Sequence, residues 1–255
     1  MKKPGFTSPF LRRIVTRKDK VKPGVFPFDR LSFLAGGEFE LDIPAAVTFL
    51  VGENGSGKST LLEAVARAAG FPGRGGSRDH AGPEVAATDA LADSLRLSWL
   101  PKINRGFFFR SESFFGLADY LDDVGDIDRH GGQVLGKLSH GESFLAVFQH
   151  RLNAAEPALY LLDEPEVALS PSRQLAFLRI LWQWQQSRRI QAIIATHSPI
   201  LMSLPGAALL SLDAGAIRPV VWQDTEHYKV TRSFLAEPKR AWDELFRDDD
   251  REHDE

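Results

Sequence analysis

The sequence predicts an α/β fold: a parallel core sheet, an N-terminal antiparallel β layer and a small helical subdomain. Val47–Val51, Leu159–Leu162 and Ile190–Thr196 are continuous apolar runs, the pattern of strands buried on both faces of a parallel sheet. Helix signals separate them, which is the strand–helix–strand order a parallel sheet requires. Before residue 45 the apolar runs are short and broken by Pro23-Gly24 and Gly36-Gly37, the punctuation of antiparallel strands.

In chain order, Phe10–Thr16, Arg30–Leu34 and Glu38–Ile43 are expected as short strands, followed by the buried strand Val47–Val51. A helix is expected from Ser59 to Ala69, stopped by Gly70 and Pro72, and Gly70–Gly82 reads as a polar loop. Residues 84–150 show helical periodicity interrupted by one aromatic run, Phe107–Phe109, expected as a strand. Ser170-Pro171 is an N-cap with proline at the first helical position. The helix it opens places Leu175, Leu178, Leu181 and Trp182 on one face. Leu209–Leu212 and Ile217–Trp222, joined by Asp213-Ala214-Gly215, read as a hairpin. One domain is expected over 1–247, with the helical subdomain at about 84–150 and an acidic tail at 248–255.

Composition excludes several classes. The 255 residues contain no cysteine, so disulfides, thiolate catalysis and cysteine metal sites are ruled out. Met1–Arg13 has basic residues but no apolar core of a secretory signal. Ile190–Leu212 lacks charge but contains Pro199, Pro205 and Gly206, so it reads as a buried strand and an interrupted segment, not a membrane span. The expected compartment is the cytoplasm. The net charge of −3 divides unevenly, +7 over residues 1–30 and −5 over 237–255. The basic start reads first as a solvated edge strand, with DNA or RNA contact as the alternative.

Gly52-Glu53-Asn54-Gly55-Ser56-Gly57-Lys58-Ser59-Thr60 follows a buried strand and opens a helix. Glycines at this spacing let backbone N–H groups converge on phosphate oxygens, and the helix N-terminus adds its positive dipole end. In this phosphate-loop pattern Lys58 reaches the terminal phosphates and the Ser59 hydroxyl holds Mg²⁺. Leu159–Leu162 ends in Asp163 and Glu164. Asp163 suits the Mg²⁺ shell and Glu164 suits orienting or deprotonating an attacking water.

Leu138-Ser139-His140-Gly141-Glu142 stands 24 residues before Asp163, and here the chain resembles the ATP-binding cassette (ABC) ATPases, whose signature reads Leu-Ser-Gly-Gly-Gln. The resemblance implies that this stretch, through Ser139 and the Gly141 N–H, binds the terminal phosphate of ATP held by a second subunit. His197, 34 residues beyond Asp163, is similar to the family's switch histidine. Two stretches depart from transporter cassettes: Ser143-Phe144-Leu145-Ala146 after the signature, and Glu166-Val167-Ala168-Leu169-Ser170 after the Asp-Glu pair. They resemble the soluble ABC ATPases related to RecF, SMC and double-strand-break repair heads, and most of all the short stand-alone "AAA family" ATPases. Only 77 residues lie between Thr60 and Leu138, room for a compact subdomain and not for a coiled coil. The family's Gln-bearing loop is expected near 110, where this chain has no Gln and Glu112 is the candidate. Phe26 and Phe28 lie where the family stacks adenine on an aromatic, with a core role as the alternative. His227-Tyr228 and Arg74–Arg78 read as exposed loop or cap residues.

The resemblance implies Mg-dependent ATP binding and hydrolysis by a head-to-tail homodimer, with Lys58, Glu164 and His197 catalytic and Ser59 and Asp163 on the metal. Such a dimer would act as a clamp or switch in DNA maintenance or defence, with nucleic acid or an unidentified protein as partner and no membrane insertion. The alternatives are the ATP-binding subunit of a membrane transporter and a nucleotide-dependent protein-binding switch.

Overall fold

A strand buried on both faces must send alternate side chains into two different cores, and this protein is organised around that division. The computed structural model describes residues 7–34, 36, 38–71, 88–111, 137–151, 156–213 and 215–246. Its main sheet has six strands, in the order β5 (Gly106–Arg110), β6 (Ala158–Asp163), β7 (Ile190–Ala195), β3 (Val47–Val51), β8 (Ala208–Ser211) and β9 (Arg218–Pro219). Every pairing is parallel except β8 with β9.

One face of the sheet, through Phe49, Phe109, Tyr160, Leu162 and Ile194, packs on Phe144, Phe148, Phe177, Leu181 and Trp184. The other face, through Leu50, Phe108, Leu161 and Ile193, packs on Leu61, Leu62 and Val65 of α1 (Lys58–Ala68) and on Leu11 and Ile14. Those last two belong to a second, antiparallel sheet in the order β2 (Glu40–Asp42), β1 (Leu11–Thr16), β4 (Leu95–Trp99). Gln191 explains how a polar residue enters an apolar strand. Fully buried in β7, its side-chain carbonyl accepts from Phe10 N and Leu11 N, each at 2.8 Å, and its amide donates to Leu11 O at 2.8 Å. These bonds seat the antiparallel layer on the central sheet while leaving no buried polar group of Gln191 unpaired.

Several expected elements differ. Arg30–Leu34 is not a strand: Ser32–Leu34 forms a 3-10 turn. Leu31, Phe33 and Leu34 all enter the same core, which side chains alternating along a strand cannot do. Within 84–150, Asp89–Ser94 (α2) and His140–Ala146 (α3, continued by a π turn over Val147–Arg151) are helical. Leu95–Trp99 is instead β4, and it makes β1 the middle strand of its sheet, not an edge. The helix α4 (Pro171–Ser187) buries Phe177, Ile180, Leu181 and Trp184 and exposes Leu175 and Trp182. Both sets have helical spacing, and only the position of the sheet selects between them. The hairpin after β8 shrinks to Arg218 and Pro219 paired with Ser211 and Leu210, with Pro219 on the edge strand, where a residue without an N–H is tolerated. The uncharged stretch from Ile190 becomes β7, the short helix α5 (Pro199–Met202) and β8. Among the described residues no helix is long and apolar enough to cross a membrane.

Candidate functional site

The strand order places the carboxyl ends of β6, β7 and β3 side by side, the edge where open α/β sheets bind ligands. Gly52–Gly57 leaves β3 and enters α1 through three positive-φ glycines, Gly52 (φ +145°), Gly55 (φ +81°) and Gly57 (φ +95°). At Gly57 glycine is required twice over: the backbone is left-handed, and a Cβ would sit 2.8 Å from Leu31. Glu53, Asn54, Gly55 and Ser56 form the body of the loop, and Lys58, Ser59 and Thr60 the first turn of α1.

Lys58 is buried, and its ammonium donates to Gly52 O at 2.7 Å and Glu53 O at 3.0 Å, closing the loop on itself. Burial lowers its pKa, opposed first by the Glu164 carboxylate and then by Asp213, Asp163 and Glu53. The Ser59 hydroxyl donates to Asp163 Oδ1 at 2.8 Å. Asp163 is the last residue of β6, and Glu164 follows it in a left-handed backbone conformation (φ +48°). A non-glycine residue in that region is strained and is characteristic of functional turns. The conformation is held because Glu164 N donates to Ala195 O at 3.0 Å while its carbonyl accepts from the Ser111 hydroxyl.

His197 leaves β7 at the same edge, with Nε2 3.5 Å from Glu164 Oε1. Its backbone N–H donates to Glu166 Oε1 at 2.6 Å, and its Nδ1 lies 2.6 Å from His227 Nε2. Burial lowers the His197 pKa, and the Lys58 cation and His227 lower it further. Just beyond, Ser198 caps α5 through Leu201 N and donates to Gln174 Oε1 at 2.6 Å, fixing the end of β7 against α4.

Lys58, Ser59, Asp163, Glu164 and His197 therefore converge. The signature residues open α3. Ser139 is its N-cap, and both its N–H and its hydroxyl donate to Glu142 Oε2, at 2.9 and 2.5 Å. Glu142 also pairs with Arg173 at 3.1 Å. The bonds to Ser139 hold the Glu142 carboxyl below its ordinary pKa, with a smaller contribution from Arg173. His140 is the first residue of α3, and Gly141 packs so closely that a Cβ would lie 2.7 Å from the Arg173 side chain. Phe28 is buried in the core beside Leu31 and Phe33, whereas Phe26 is 44% exposed. Glu112 and Arg74–Arg78 lie outside the described residues.

Four further residues enter the site that the sequence reading did not place there. Asp213, after β8, accepts from Glu53 N at 2.9 Å and pins the start of the loop. Ser111, at the end of β5, bonds to the carbonyls of Asp163 and Glu164. Glu166 supports His197 from below. His227, read as an exposed loop or cap residue, is on α6 (Glu226–Ala236) and turned into the site. Its approach depends on where α6 docks, for which no local sequence signal exists.

Glu166 carries a pH prediction. Burial, the largest influence, raises its pKa despite the bond from His197 N, and its Oε2 has no partner among the described residues. A carboxyl raised in the folded state contributes stability that is full below its ordinary value of 4.5 and is lost as pH rises through the folded value. Glu166→Gln keeps an oxygen acceptor for His197 N without the buried charge. The melting temperature of the variant relative to wild type is expected to climb as pH rises from 4.5 toward 8, read by scanning calorimetry. A gap independent of pH would contradict this assignment.

The phosphate-loop stretch thus lies between a parallel strand and a helix, and the strand-end Asp-Glu pair and His197 share its sheet edge. Residues 47–124 and 129–203 match the family model described as "AAA domain, putative AbiEii toxin, Type IV TA system". The chain belongs to this AAA-domain family of ABC-type ATPases. It is 32% identical over 201 residues to the "Aliphatic sulfonates import ATP-binding protein SsuB 2" of Streptomyces avermitilis, covering 77% of this chain and 78% of the relative. It is likewise 32% identical over 207 residues to the "Cytochrome c biogenesis ATP-binding export protein CcmA" of Rhodospirillum rubrum, covering 74% of this chain and 82% of the relative. Among solved structures, the SMC head domain from Thermotoga maritima aligns over 83% of this chain and 99% of its own, at 17% identity and a TM-score of 0.44.

Proposed function

We propose that the protein hydrolyses Mg-ATP in a head-to-tail homodimer that closes on two nucleotides and opens after hydrolysis. The observation that carries the reading is the Ser59–Asp163 contact beside Lys58, with Glu164 and His197 at the same sheet edge. A hydroxyl and a carboxylate oxygen 2.8 Å apart are hard donors that suit Mg²⁺, which takes one or two such protein ligands and completes its shell with water and phosphate oxygens. When bound, the ion would neutralise charge on the phosphates.

The protein's own residues then divide the work. Loop N–H groups and Lys58 bind the phosphates, Lys58 exchanging its two carbonyl partners for phosphate oxygens. Glu164 orients the attacking water and accepts its proton, and His197 donates toward the terminal phosphate. Ser139, bonded to Glu142 within its own helix start, and the Gly141 N–H complete the cage on the second copy. Phe26, exposed where Phe28 is buried, is the aromatic available to adenine.

Replacing Glu164 with Gln preserves shape and removes the base. Turnover is expected to fall about 100-fold or more, and gel filtration in Mg-ATP to show a dimer that the wild type populates only transiently. A variant that stays monomeric at saturating Mg-ATP, beside a wild type that hydrolyses normally, would remove the sandwich from the mechanism.

The object of the cycle is proposed as DNA or RNA, with a partner protein as the second possibility. The basic segment supports nucleic acid less strongly than its sequence suggests, because Arg13 pairs with Glu40 and Asp42 and Lys18 with Glu38. DNA-stimulated turnover that declines steeply with salt is the expected sign. The names of the relatives favour a transporter subunit, for which co-purification with a membrane protein is the corresponding sign.

A further inference from the structure

We propose that His227 is a positioning residue for His197: its Nε2–H donates to His197 Nδ1 and so holds the His197 proton on Nε2, facing Glu164 and the phosphate site. The two nitrogens are 2.6 Å apart, and two ring nitrogens at that distance need one proton and one lone pair between them. The surroundings decide which ring donates. His197 Nε2 lies 3.5 Å from Glu164 Oε1; a lone pair there would face a carboxylate oxygen, whereas an N–H is attracted to it. With the proton on Nε2, neutral His197 offers only a lone pair at Nδ1, and His227 must supply the hydrogen. On the far side of the pair, the His227 Nδ1 lone pair then faces Glu53 Oε1, but that carboxylate is farther away, at 3.9 Å, and more exposed to water than Glu164, so the nearer carboxylate sets the tautomer. The bonded pair of imidazoles thus lies between the phosphate loop, at Glu53, and the end of β6, at Glu164.

The geometry that delivers His227 is built, not incidental. Thr225 is buried and caps α6, accepting from Tyr228 N at 3.4 Å while its hydroxyl donates to Trp222 O at 2.7 Å. The same hydroxyl lies 3.8 Å from the Met202 sulfur, at the end of the short helix that follows His197. The ring of Trp222 meets that of Tyr228 edge-on at 4.5 Å. His227 therefore sits on the one turn of α6 that is tied to the His197 segment. The rest of α6 is exposed, including Val230 and Phe234, and the whole helix lies beyond residue 203, where the family match ends. Displacing α6 would release the His197 proton to the wrong nitrogen.

The activity arm of the test rests on the hydrolysis proposed above, so a second arm is independent of it. With ¹⁵N-labelled histidine, His197 in the nucleotide-free wild type is expected to show a protonated Nε2 and an unprotonated Nδ1. His227→Ala, which leaves only Glu164 facing the ring, is expected to lower the Nε2-protonated fraction of His197, and His227→Gln, whose amide N–H can donate, to restore it. In steady-state assays the alanine variant is expected to lose about 100-fold in kcat, the scale of a misplaced catalytic group, with KM changed less than threefold. The glutamine variant is expected to recover at least a tenth of the wild-type kcat. An unchanged His197 tautomer in His227→Ala overturns the proposal, as does equal activity of the alanine and glutamine variants with an active wild type. Absence of hydrolysis in every form, together with the expected tautomer change, would instead reject the hydrolysis reading and leave the positioning role standing.

Discussion

A Lys58→Met protein is expected to lose Mg-ATP turnover by about 10²–10³-fold, the effect of deleting one preorganised donor at a developing charge, while remaining folded. Lys58 is buried, and methionine is an unbranched side chain that can fill the same space. What disappears is the ammonium that donates to Gly52 O and Glu53 O. An unpaired buried carbonyl costs about 1–3 kcal/mol, but removal of a cation whose burial is already unfavourable offsets part of this. The melting temperature is therefore expected to stay within about 5 °C of wild type, and calorimetric titration to show greatly weakened nucleotide binding. Turnover within tenfold of wild type would mean that the loop is not the phosphate site.

Gly106→Ala is expected to act on the fold rather than the chemistry, with a loss of about 3 kcal/mol or more. Gly106 opens β5 opposite Leu159 of β6. A Cβ at this position would lie 2.0 Å from the Leu159 carbonyl oxygen and 2.7 Å from the Phe71 ring. The first neighbour is backbone within a parallel ladder, so it cannot rotate away as a side chain could. Separation of β5 from β6 would also loosen Ser111, which bonds to the carbonyls of Asp163 and Glu164. Thermal unfolding followed by circular dichroism should show a drop of about 6–12 °C. A melting temperature within 2 °C of wild type, a margin of about 1 kcal/mol or less, would show that the two strands can part without cost.

The parts of the molecule legible in the sequence are those governed by local chemistry. The loop from Gly52 to Thr60 needs its glycines and its lysine at set spacing, and the three apolar runs need no context to be read as doubly buried strands. Asp163, Glu164 and His197 were readable because each directly follows such a run, and a residue at the carboxyl end of a central strand has little freedom in where it emerges. The face of α4 could not be chosen from spacing, since Leu175 and Trp182 repeat as well as Phe177, Leu181 and Trp184. Leu31, Phe33 and Leu34 looked like a strand because burial, not alternation, was the visible signal. Phe26 and Phe28 were equivalent by position and distinct only by burial.

His227, Asp213, Glu166 and Ser111 are of a different kind. Asp213 and Ser111 end strands whose order in the sheet is not written in any local pattern. Glu166 is an ordinary acidic residue until β7 brings the His197 N–H to it. His227 is distant in sequence from every motif, and its ring reaches His197 only because Thr225 and Trp222 tie α6 to the segment after β7. The loop from Gly52 to Thr60, the Asp-Glu pair and His197, and with them the phosphate chemistry proposed above, are legible without the fold, because spacing along single strand ends specifies those groups. The tertiary structure alone decided which side chains support and orient them, because hydrogen bonds between elements depend on docking positions that local spacing does not encode.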